Sequence, residues 1–269
     1  MTVTAEAIWQ DIETIRNQAP LVHNITNYVV MNTTANALLA IGASPVMAHA
    51  VEEVAQMTGI AASLVVNIGT LSNHWVQAMA AAMKAAADKQ IPVVFDPVGV
   101  GATAYRTQTA DTLMAVTAPA VIRGNASEII ALMVSDAQTK GVDATAAAES
   151  AVTAGRALSE RVGSTVCISG ETDYIIGADD VLTIANGHAL MPRVTGLGCT
   201  ASALCGAFAA VNPSPVHATA HAMATMGIAG EMAAQTADGP ASLQTAFLDS
   251  LYRLQKADVV RLLRAGTLP

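Results

Sequence analysis

The chain has 269 residues and carries 13 Lys or Arg against 21 Asp or Glu, so its formal net charge is −8. Its apolar share of 52% excludes intrinsic disorder, because a chain this apolar buries enough surface to offset its ordering entropy. The acidic balance and the 3% aromatic content argue against a nucleic-acid partner, which needs basic groups and stacking platforms.

Strand-like and helix-like patterns alternate along most of the chain. Short apolar runs predict strands at 63–68, 91–95, 120–122 and 165–168. Helical patterns lie at 28–40, 73–89, 107–116 and 144–161. Fully apolar strands that alternate with helices indicate a parallel sheet covered on both faces. Because no linker, repeat or low-complexity segment interrupts residues 1–269, we predict a single domain.

The second half of the chain begins with a predicted hairpin. Segments 173–177 and 181–185, separated by Ala178-Asp179-Asp180, are expected to pair at one edge of the sheet. From Cys199 onward the chain is predicted to be mostly helical. No Asp, Glu, Lys or Arg occurs in 194–230, but the Pro-rich segment 212–215 interrupts this stretch. We therefore expect two buried or oligomer-facing helices joined by a Pro turn, and no membrane span.

The amino terminus has neither the basic nor the apolar segment of a signal peptide. The three cysteines, Cys167, Cys199 and Cys205, form no CxxC pair. We therefore expect a reduced, cytoplasmic protein, in which Cys167 and Cys205 are inert core thiols.

Ligands of an open parallel sheet bind beyond the carboxyl ends of its strands. Polar and glycine residues gather at the predicted ends, in 67–70, 96–99, 123–125 and 169–171. The sequence thus predicts the location of a site but not its chemistry.

Two glycines, Gly196 and Gly198, precede an apolar helix predicted at 201–211. Such glycines let backbone N–H groups face a bound anion, where the helix dipole also favours negative charge. The segment is neither a Walker A loop nor a complete GxGxxG fingerprint. A plain tight turn before a buried helix is an equally good interpretation.

Segment 195–200, Thr-Gly-Leu-Gly-Cys-Thr, resembles the anion-hole motif of the ribokinase-like superfamily, with Cys199 where most members carry Asp. Further segments resemble one branch of that superfamily: 23–27 with 43–47, 96–102 and 123–129. These motifs occur in the right order over nearly the whole chain, which therefore resembles the hydroxyethylthiazole kinase family. The resemblance implies a ribokinase-like α/β fold, with a mainly parallel central sheet and helices on both faces.

The resemblance also implies an activity. This is the ATP- and Mg²⁺-dependent phosphorylation of the hydroxyl of 5-(2-hydroxyethyl)-4-methylthiazole in thiamine salvage, by a homotrimer with active sites at subunit interfaces. The alternatives are a kinase for hydroxymethylpyrimidine or a sugar, a hydrate dehydratase of the same fold, and a nucleotide-binding regulatory subunit. Related kinases and the dehydratase would carry Asp at Cys199, which makes this residue the discriminator.

The family's roles fall on four groups of residues in this sequence. Thiazole contacts are implied for Met47, Gly196, Asn24 and Asn67. Nucleotide contacts are implied for Arg123, Asn125 and Ser169, and Mg²⁺ ligation, directly or through water, for Asp96 and Glu128. The implied anion hole consists of Gly196, Leu197, Gly198 and Cys199, and Cys199 would accept the hydroxyl proton. A helix N-terminus lowers the pKa of a thiol and nearby phosphates raise it, so the sequence leaves the net shift open.

Structural roles compete with several of these assignments. We expect the Asp96 carboxylate to emerge at the ligand edge, although Asp96 could also be a solvated residue that starts a turn. Asn125 and Glu128 have the spacing of a capping box. Arg123 could form a surface ion pair, and Asn27 could be the N-cap of the helix at 28–40. Met47 could be an ordinary core residue, and we expect His49, His74, His188, His217 and His221 to be hydrogen-bonded structural residues.

Overall fold

The strands of the computed structural model, which describes residues 2–133, 144–178 and 180–268, join in one nine-stranded sheet. In chain order they are β1 (Leu21–Ile25), β2 (Ser44–Val46), β3 (Ser63–Asn67), β4 (Val93–Asp96), β5 (Val121–Asn125), β6 (Thr165–Ser169), β7 (Asp173–Ile176), β8 (Val181–Ile184) and β9 (Ala265–Leu268). Their order across the sheet is β2-β1-β3-β4-β5-β6-β7-β8-β9. All pairs from β2 to β6 are parallel, and the pairs from β6 to β9 are antiparallel.

Helices pack on both faces of this sheet. They are α1 (Ala5–Gln18), α2 (Met31–Ile41), α3 (Val54–Ile60), α4 (Asn73–Lys89), α5 (Ala104–Val116), α6 (Ala126–Met133), α7 (Ala144–Val162), α8 (Leu197–Ala209), α9 (Pro215–Ala234), α10 (Pro240–Arg253) and α11 (Lys256–Leu262). One core lies against α1, α2 and α8 to α11, and the other lies against α3 to α7. Alternate residues of a strand serve the two cores, since Leu64 and Val66 face one and Val65 faces the other. The predicted α/β fold with a mainly parallel sheet is confirmed.

The predicted strands at 63–68, 91–95, 120–122 and 165–168 correspond to β3, β4, β5 and β6, with boundaries shifted by a few residues. The predicted hairpin is confirmed as β7 and β8, although Asp179 in its turn lies outside the described residues. Its position at the sheet edge is wrong, because β9 pairs with the outer side of β8. All four residues of β9 are exposed and follow no alternating pattern. The strand therefore forms by pairing with the otherwise free edge of β8, and no sequence pattern predicts it.

Strand β1 is not among the strands predicted from the sequence. Residues 21–25 form β1, and polar His23 is accommodated there because its ring contacts the Thr58 hydroxyl at 2.9 Å and the Ala48 carbonyl at 2.8 Å. The following helix begins at Met31 with Val30 at the N-cap, so the prediction of Asn27 as an N-cap is wrong.

The charge-free region 194–230 forms α8 and the larger part of α9, joined by the expected Pro turn. Every residue of 218–230 is buried within the single chain, so this apolar surface is used inside the fold and gives no support for an oligomer face. In the described ranges, none of the helices combines the length and the apolar character that crossing a membrane requires.

Candidate active site

Four neighbouring strands end on polar residues at the same edge of the sheet. Asn67, Asp96, Asn125 and Ser169 are the last residues of β3, β4, β5 and β6. The register places Asn67 beside Asp96 and Asn125 beside Ser169. The predicted location of the site, at the carboxyl ends of the parallel strands, therefore holds the expected residues.

Helix α8 starts four residues earlier than predicted, so the implied anion hole is its first turn. Gly196 is the N-cap with φ of +89°, and a Cβ there would lie 2.5 Å from Cγ1 of Val30. Glycine is thus required both by the backbone conformation and by the close approach of Val30. Leu197, Gly198 and Cys199 follow, and the first N–H groups of a helix have no acceptor within that helix. This turn can therefore bind an anion.

The Cys199 thiol lies on one side of this turn in a network of carboxamides. Asn27 Nδ2 donates to Cys199 Sγ at 3.4 Å and to Asn67 Oδ1 at 2.9 Å. A Cβ at Gly69 would lie 2.6 Å from the same Nδ2, so Asn27 packs tightly over that glycine. Sequence reasoning missed Asn27 as a site residue. Its place just beyond the end of a buried strand is the signal that could have identified it.

Burial raises the pKa of Cys199 to about 11, and the neighbouring Asp96 contributes in the same direction. Hydrogen bonds from Asn67 and Asn27 oppose the shift only in part. The thiol is therefore protonated at neutral pH, which settles the direction that the sequence left open.

Asp96 ends β4 beneath α8 and is fully buried, so the alternative of a solvated residue that starts a turn is wrong. Oδ2 accepts from Asn67 Nδ2 at 2.8 Å and from Ser202 Oγ at 2.7 Å, whereas the buried Oδ1 has no hydrogen-bond partner. Burial raises the pKa of Asp96 to about 6, against the opposing effect of Arg123. Ser202, on the second turn of α8, is a further residue that sequence reasoning missed.

The predicted capping box is confirmed at the start of α6. Glu128 N donates to Asn125 Oδ1 at 3.0 Å, and Asn125 N donates to Glu128 Oε2 at 2.8 Å. Glu128 Oε1 accepts the Gly99 N–H at 2.9 Å, so this carboxylate also holds the loop after β4. Its charge contributes to the raised pKa of Asp96.

Of the four carboxylate oxygens of Asp96 and Glu128, only Asp96 Oδ1 has no hydrogen-bond partner. The two carboxylates fit a cation that takes its other ligands from phosphate and water. Mg²⁺ is bound in this way in many phosphate sites. Over the described ranges, the protein arranges no cluster of three or more His, Cys, Asp or Glu as a metal site of its own. The donor set thus suits a metal that arrives with a nucleotide.

Arg123 lies on the other side of the α8 turn from Asn27. Its Nη2 donates to Ser169 Oγ at 2.6 Å, and its buried Nε has no partner. A Cβ at Gly198 would lie 3.1 Å from Arg123 Nη1, so glycine lets the guanidinium reach the helix start. The alternative of a surface ion pair is therefore wrong, and the guanidinium and the helix N-terminus face the same space.

A cleft of about 920 Å³ extends from Arg123, Ser169 and Gly198 to the segment after β8. Its far end is lined by residues 185–189 and 191–192 and by Met223, Met226, Gly227 and Arg264. Asp173 also lines the cleft, and its pKa is raised to about 6 mainly by burial. Sequence reasoning missed this far end, whose residues come from three distant parts of the chain.

Two of the implied thiazole contacts lie apart from these networks. Asn24 is fully buried in β1, and its Nδ2 donates to the Val22 carbonyl at 3.0 Å. Met47 is half-buried after β2, where its carbonyl contacts His49 Nδ1 at 3.3 Å. His49 and Tyr28 both pack on Trp75, with ring centroids 4.9 Å and 4.7 Å from it. No pattern in the sequence predicts this aromatic cluster.

A mainly parallel sheet, a glycine-capped anion turn and an adjoining cleft define a kinase of the ribokinase-like class. The fold is shared with pyridoxal kinase from Staphylococcus aureus in complex with AMP-PCP, which aligns with a TM-score of 0.65 at 13% identity over 93% of this chain and 98% of that chain. A hydroxyethylthiazole kinase structure from Pyrococcus horikoshii OT3 aligns with a TM-score of 0.91 at 39% identity, over 98% of this chain and 100% of that chain.

Sequence comparison gives the particular family. Hydroxyethylthiazole kinase from Syntrophus aciditrophicus (strain SB) is 64% identical over 98% of each chain. The hydroxyethylthiazole kinase family model matches residues 12–257. The chain belongs to the hydroxyethylthiazole kinase family, which decides against the pyrimidine kinase, sugar kinase and hydrate dehydratase alternatives.

Proposed function

We propose that this protein transfers the γ-phosphoryl group of ATP to the primary hydroxyl of 5-(2-hydroxyethyl)-4-methylthiazole, as a step of thiamine salvage. One observation carries the proposal beyond family membership. Within a single helical turn, Gly198 contacts the Arg123 guanidinium and the next residue, Cys199, contacts the Asn27 carboxamide. A phosphoryl donor on the arginine side and an alcohol on the thiol side would meet at this turn.

On the phosphate side the residues act by charge neutralisation. Arg123 and the free N–H groups of Leu197, Gly198 and Cys199 face the position where negative charge develops. Ser169 holds the guanidinium in place through its hydroxyl. Because phosphoryl transfer asks for little covalent chemistry from a protein, such positioning supplies most of the catalysis.

Asp96 and Glu128 would hold Mg²⁺, directly or through water. The unpartnered Oδ1 of Asp96 supports this assignment. The ion would neutralise charge on the phosphate oxygens of the nucleotide. Asn125, which caps α6 beside Glu128, would lie next to the nucleotide.

On the alcohol side, Cys199 would orient the substrate hydroxyl and accept its proton. Only the thiolate accepts a proton, and with a pKa of about 11 it is a minor species at neutral pH. In a loose transfer the proton leaves late, so this limits the rate only partly. Gly196, Met47, Asn67 and Asn24 remain the proposed thiazole-binding residues, and buried Asn24 would act from beneath the site.

A coupled ADP-release assay on thiazole, pyrimidine and sugar alcohols tests the proposed function. We expect turnover with the thiazole alcohol to exceed that with the other alcohols, and to stop when EDTA removes Mg²⁺. Preferred turnover of a pyrimidine or sugar alcohol would contradict the proposed substrate.

The family resemblance further supports a homotrimer in the cytoplasm, with the site closed by a neighbouring subunit. Tyr28 and Val29 directly follow Asn27 and are 60% and 69% exposed, which leaves an apolar surface beside the site in the single chain. Light scattering at micromolar concentration should give the mass of a trimer. A monomer would contradict both the assembly and the shared site.

A further inference from the structure

Glu231 is the first charged residue after Arg193, yet its side chain is only 13% exposed. It pairs with Arg264 through two bonds, from Nη1 to Oε2 at 3.1 Å and from Nη2 to Oε1 at 2.7 Å. A two-bond fork of this kind fixes orientation as well as distance. The pair joins α9 to the residue directly before β9.

The same carboxylate holds the segment that follows β8. Glu231 Oε1 accepts from Gly187 N at 2.8 Å and from Asn186 Nδ2 at 2.9 Å. Asn186 Oδ1 in turn accepts the Arg264 N–H at 2.8 Å, and Arg264 Nη2 donates to the Ala185 carbonyl at 2.8 Å. We call Glu231, Arg264 and Asn186 the β9 clamp.

Helix α9 approaches this segment closely. A Cβ at Gly227 would lie 2.5 Å from the Asn186 carbonyl oxygen, so the backbone of Asn186 rests directly on the helix. The clamp therefore holds residues 185–187 against α9. This backbone, Met223 and Met226 line one end of the cleft.

The sheet topology places the clamp away from the anion turn. Strand β8 lies two strands beyond β6 and, after two reversals, ends at the same edge of the sheet. With a strand spacing of about 4.8 Å, Ala185 lies on the order of 10 Å from Ser169. The clamp and Arg123 therefore occupy opposite ends of one cleft.

We infer that the β9 clamp positions the wall that receives the nucleoside part of the nucleotide. The inference rests on the proposed function, since phosphates at Arg123 leave the other end for the base and ribose. That end is lined by the apolar residues Met223, Met226 and Gly227, with residues 186–189 beside them. Glu231 and Asn186 act as positioning residues, because they hold the wall through other groups.

Titration calorimetry with ATP and with tripolyphosphate separates the two ends of the cleft. Glu231→Ala and Arg264→Met should each weaken ATP binding on the order of tenfold, because a displaced wall misplaces the nucleoside. Tripolyphosphate, which needs only the phosphate end, should bind to the variants within about twofold of wild type. The KM for the thiazole alcohol should also be unchanged.

Arg261→Met is the matched control. Arg261 also pairs with a carboxylate, Asp258 at 3.2 Å, but the pair is exposed on α11 and does not line the cleft. This variant should bind ATP as wild type does. Thermal unfolding of each variant checks its fold, and the milder Arg264→Lys, which keeps the charge but loses the fork, replaces any variant that does not fold.

The inference about the β9 clamp is contradicted if its variants lose affinity for ATP and for tripolyphosphate equally, or if they lose affinity for neither. Wild type that binds ATP but does not phosphorylate the thiazole alcohol contradicts only the proposed function. Wild type that binds no ATP contradicts both proposals.

Discussion

The two ends of the cleft are built in different ways. At the phosphate end, Asn67 and Asp96 end their strands in buried positions, and full burial raises the pKa of Asp96. The base end consists of a loop held by one ion pair, in which Arg264 is half exposed. The groups that we propose for the chemistry are thus fixed by the sheet at an electrostatic cost, whereas the groups that would hold the nucleoside are fixed by the β9 clamp. Variants at the phosphate end should therefore have the larger effects on turnover.

Asp96→Asn should have the largest effect, lowering turnover on the order of 10³-fold through loss of a metal ligand. The same change should stabilise the fold. The pKa of Asp96 is raised from 3.8 to about 6, so its stabilising contribution is full at low pH and is lost as the pH rises through about 6. Asn avoids this cost, which is about 3 kcal/mol in the free energy of unfolding.

Urea unfolding at pH 8 without Mg²⁺ measures that gain, and the gain should disappear near pH 4. Unchanged turnover of Asp96→Asn at saturating Mg²⁺ would contradict the proposed role of Asp96 as a metal ligand.

Arg123→Met should lower kcat/KM for ATP by about 10²–10³-fold, as expected for loss of a preorganised charge at the transferred group. In contrast to the clamp variants, Arg123→Met should weaken the binding of tripolyphosphate and of ATP to the same extent. Arg156→Met, at an exposed position of α7, is the control and should leave both affinities unchanged. Selective loss of ATP affinity in Arg123→Met would reverse the assignment of the two ends.

Cys199→Ala should lower kcat about tenfold to a hundredfold without abolishing it, since acid–base assistance contributes this order or somewhat more. Cys199→Asp should retain substantial activity, because a carboxylate accepts the same proton. Wild-type kcat should rise with pH towards about 11, where the thiolate forms, and Cys199→Asp should remove that rise.

Steady-state kinetics between pH 6 and 10 would make this comparison. Wild-type activity in Cys199→Ala would contradict the role of Cys199 as proton acceptor. Cys199 would then be only a small residue that fits the turn. An inactive Asp variant beside an active Ala variant would mean that the anion hole rejects negative charge.

Ser169→Ala should have the smallest effect. It removes one hydrogen bond to Arg123, worth about 1 kcal/mol, so KM for ATP should rise about fivefold. Ser169→Thr keeps the hydroxyl and should behave as wild type in the same kinetic assay. A fall in kcat as large as that of Arg123→Met would give Ser169 a direct catalytic role.

The phosphate end was largely predictable from sequence. Asn67, Asp96, Asn125 and Ser169 follow or end apolar runs, and the parallel-sheet rule alone brings such strand ends together. The capping box of α6 depends on residues three apart, so local spacing was sufficient to predict it.

Contacts between distant parts of the chain were not predictable in this way. Asn27 meets Cys199 across 172 residues, and its neighbours in sequence suggested only a helix cap. Strand β1 was not predicted because the polar residues His23 and Asn24 interrupt its apolar pattern. His23 is accommodated in the buried strand by a partner, Thr58, that lies 35 residues further along the chain. The pairing of Glu231 with Arg264 likewise joins residues that lie 33 positions apart in the chain.

Strand β9 gives the order of synthesis a consequence. Residues Ala265–Leu268 add the outer strand after all the buried residues of both cores have been synthesised, and Arg264 beside them holds the loop after β8. A nascent chain can fold both cores before this strand is available, but the wall of its proposed nucleotide cleft is not yet held in place. Chains truncated after Leu263 should therefore accumulate as folded proteins that bind ATP weakly.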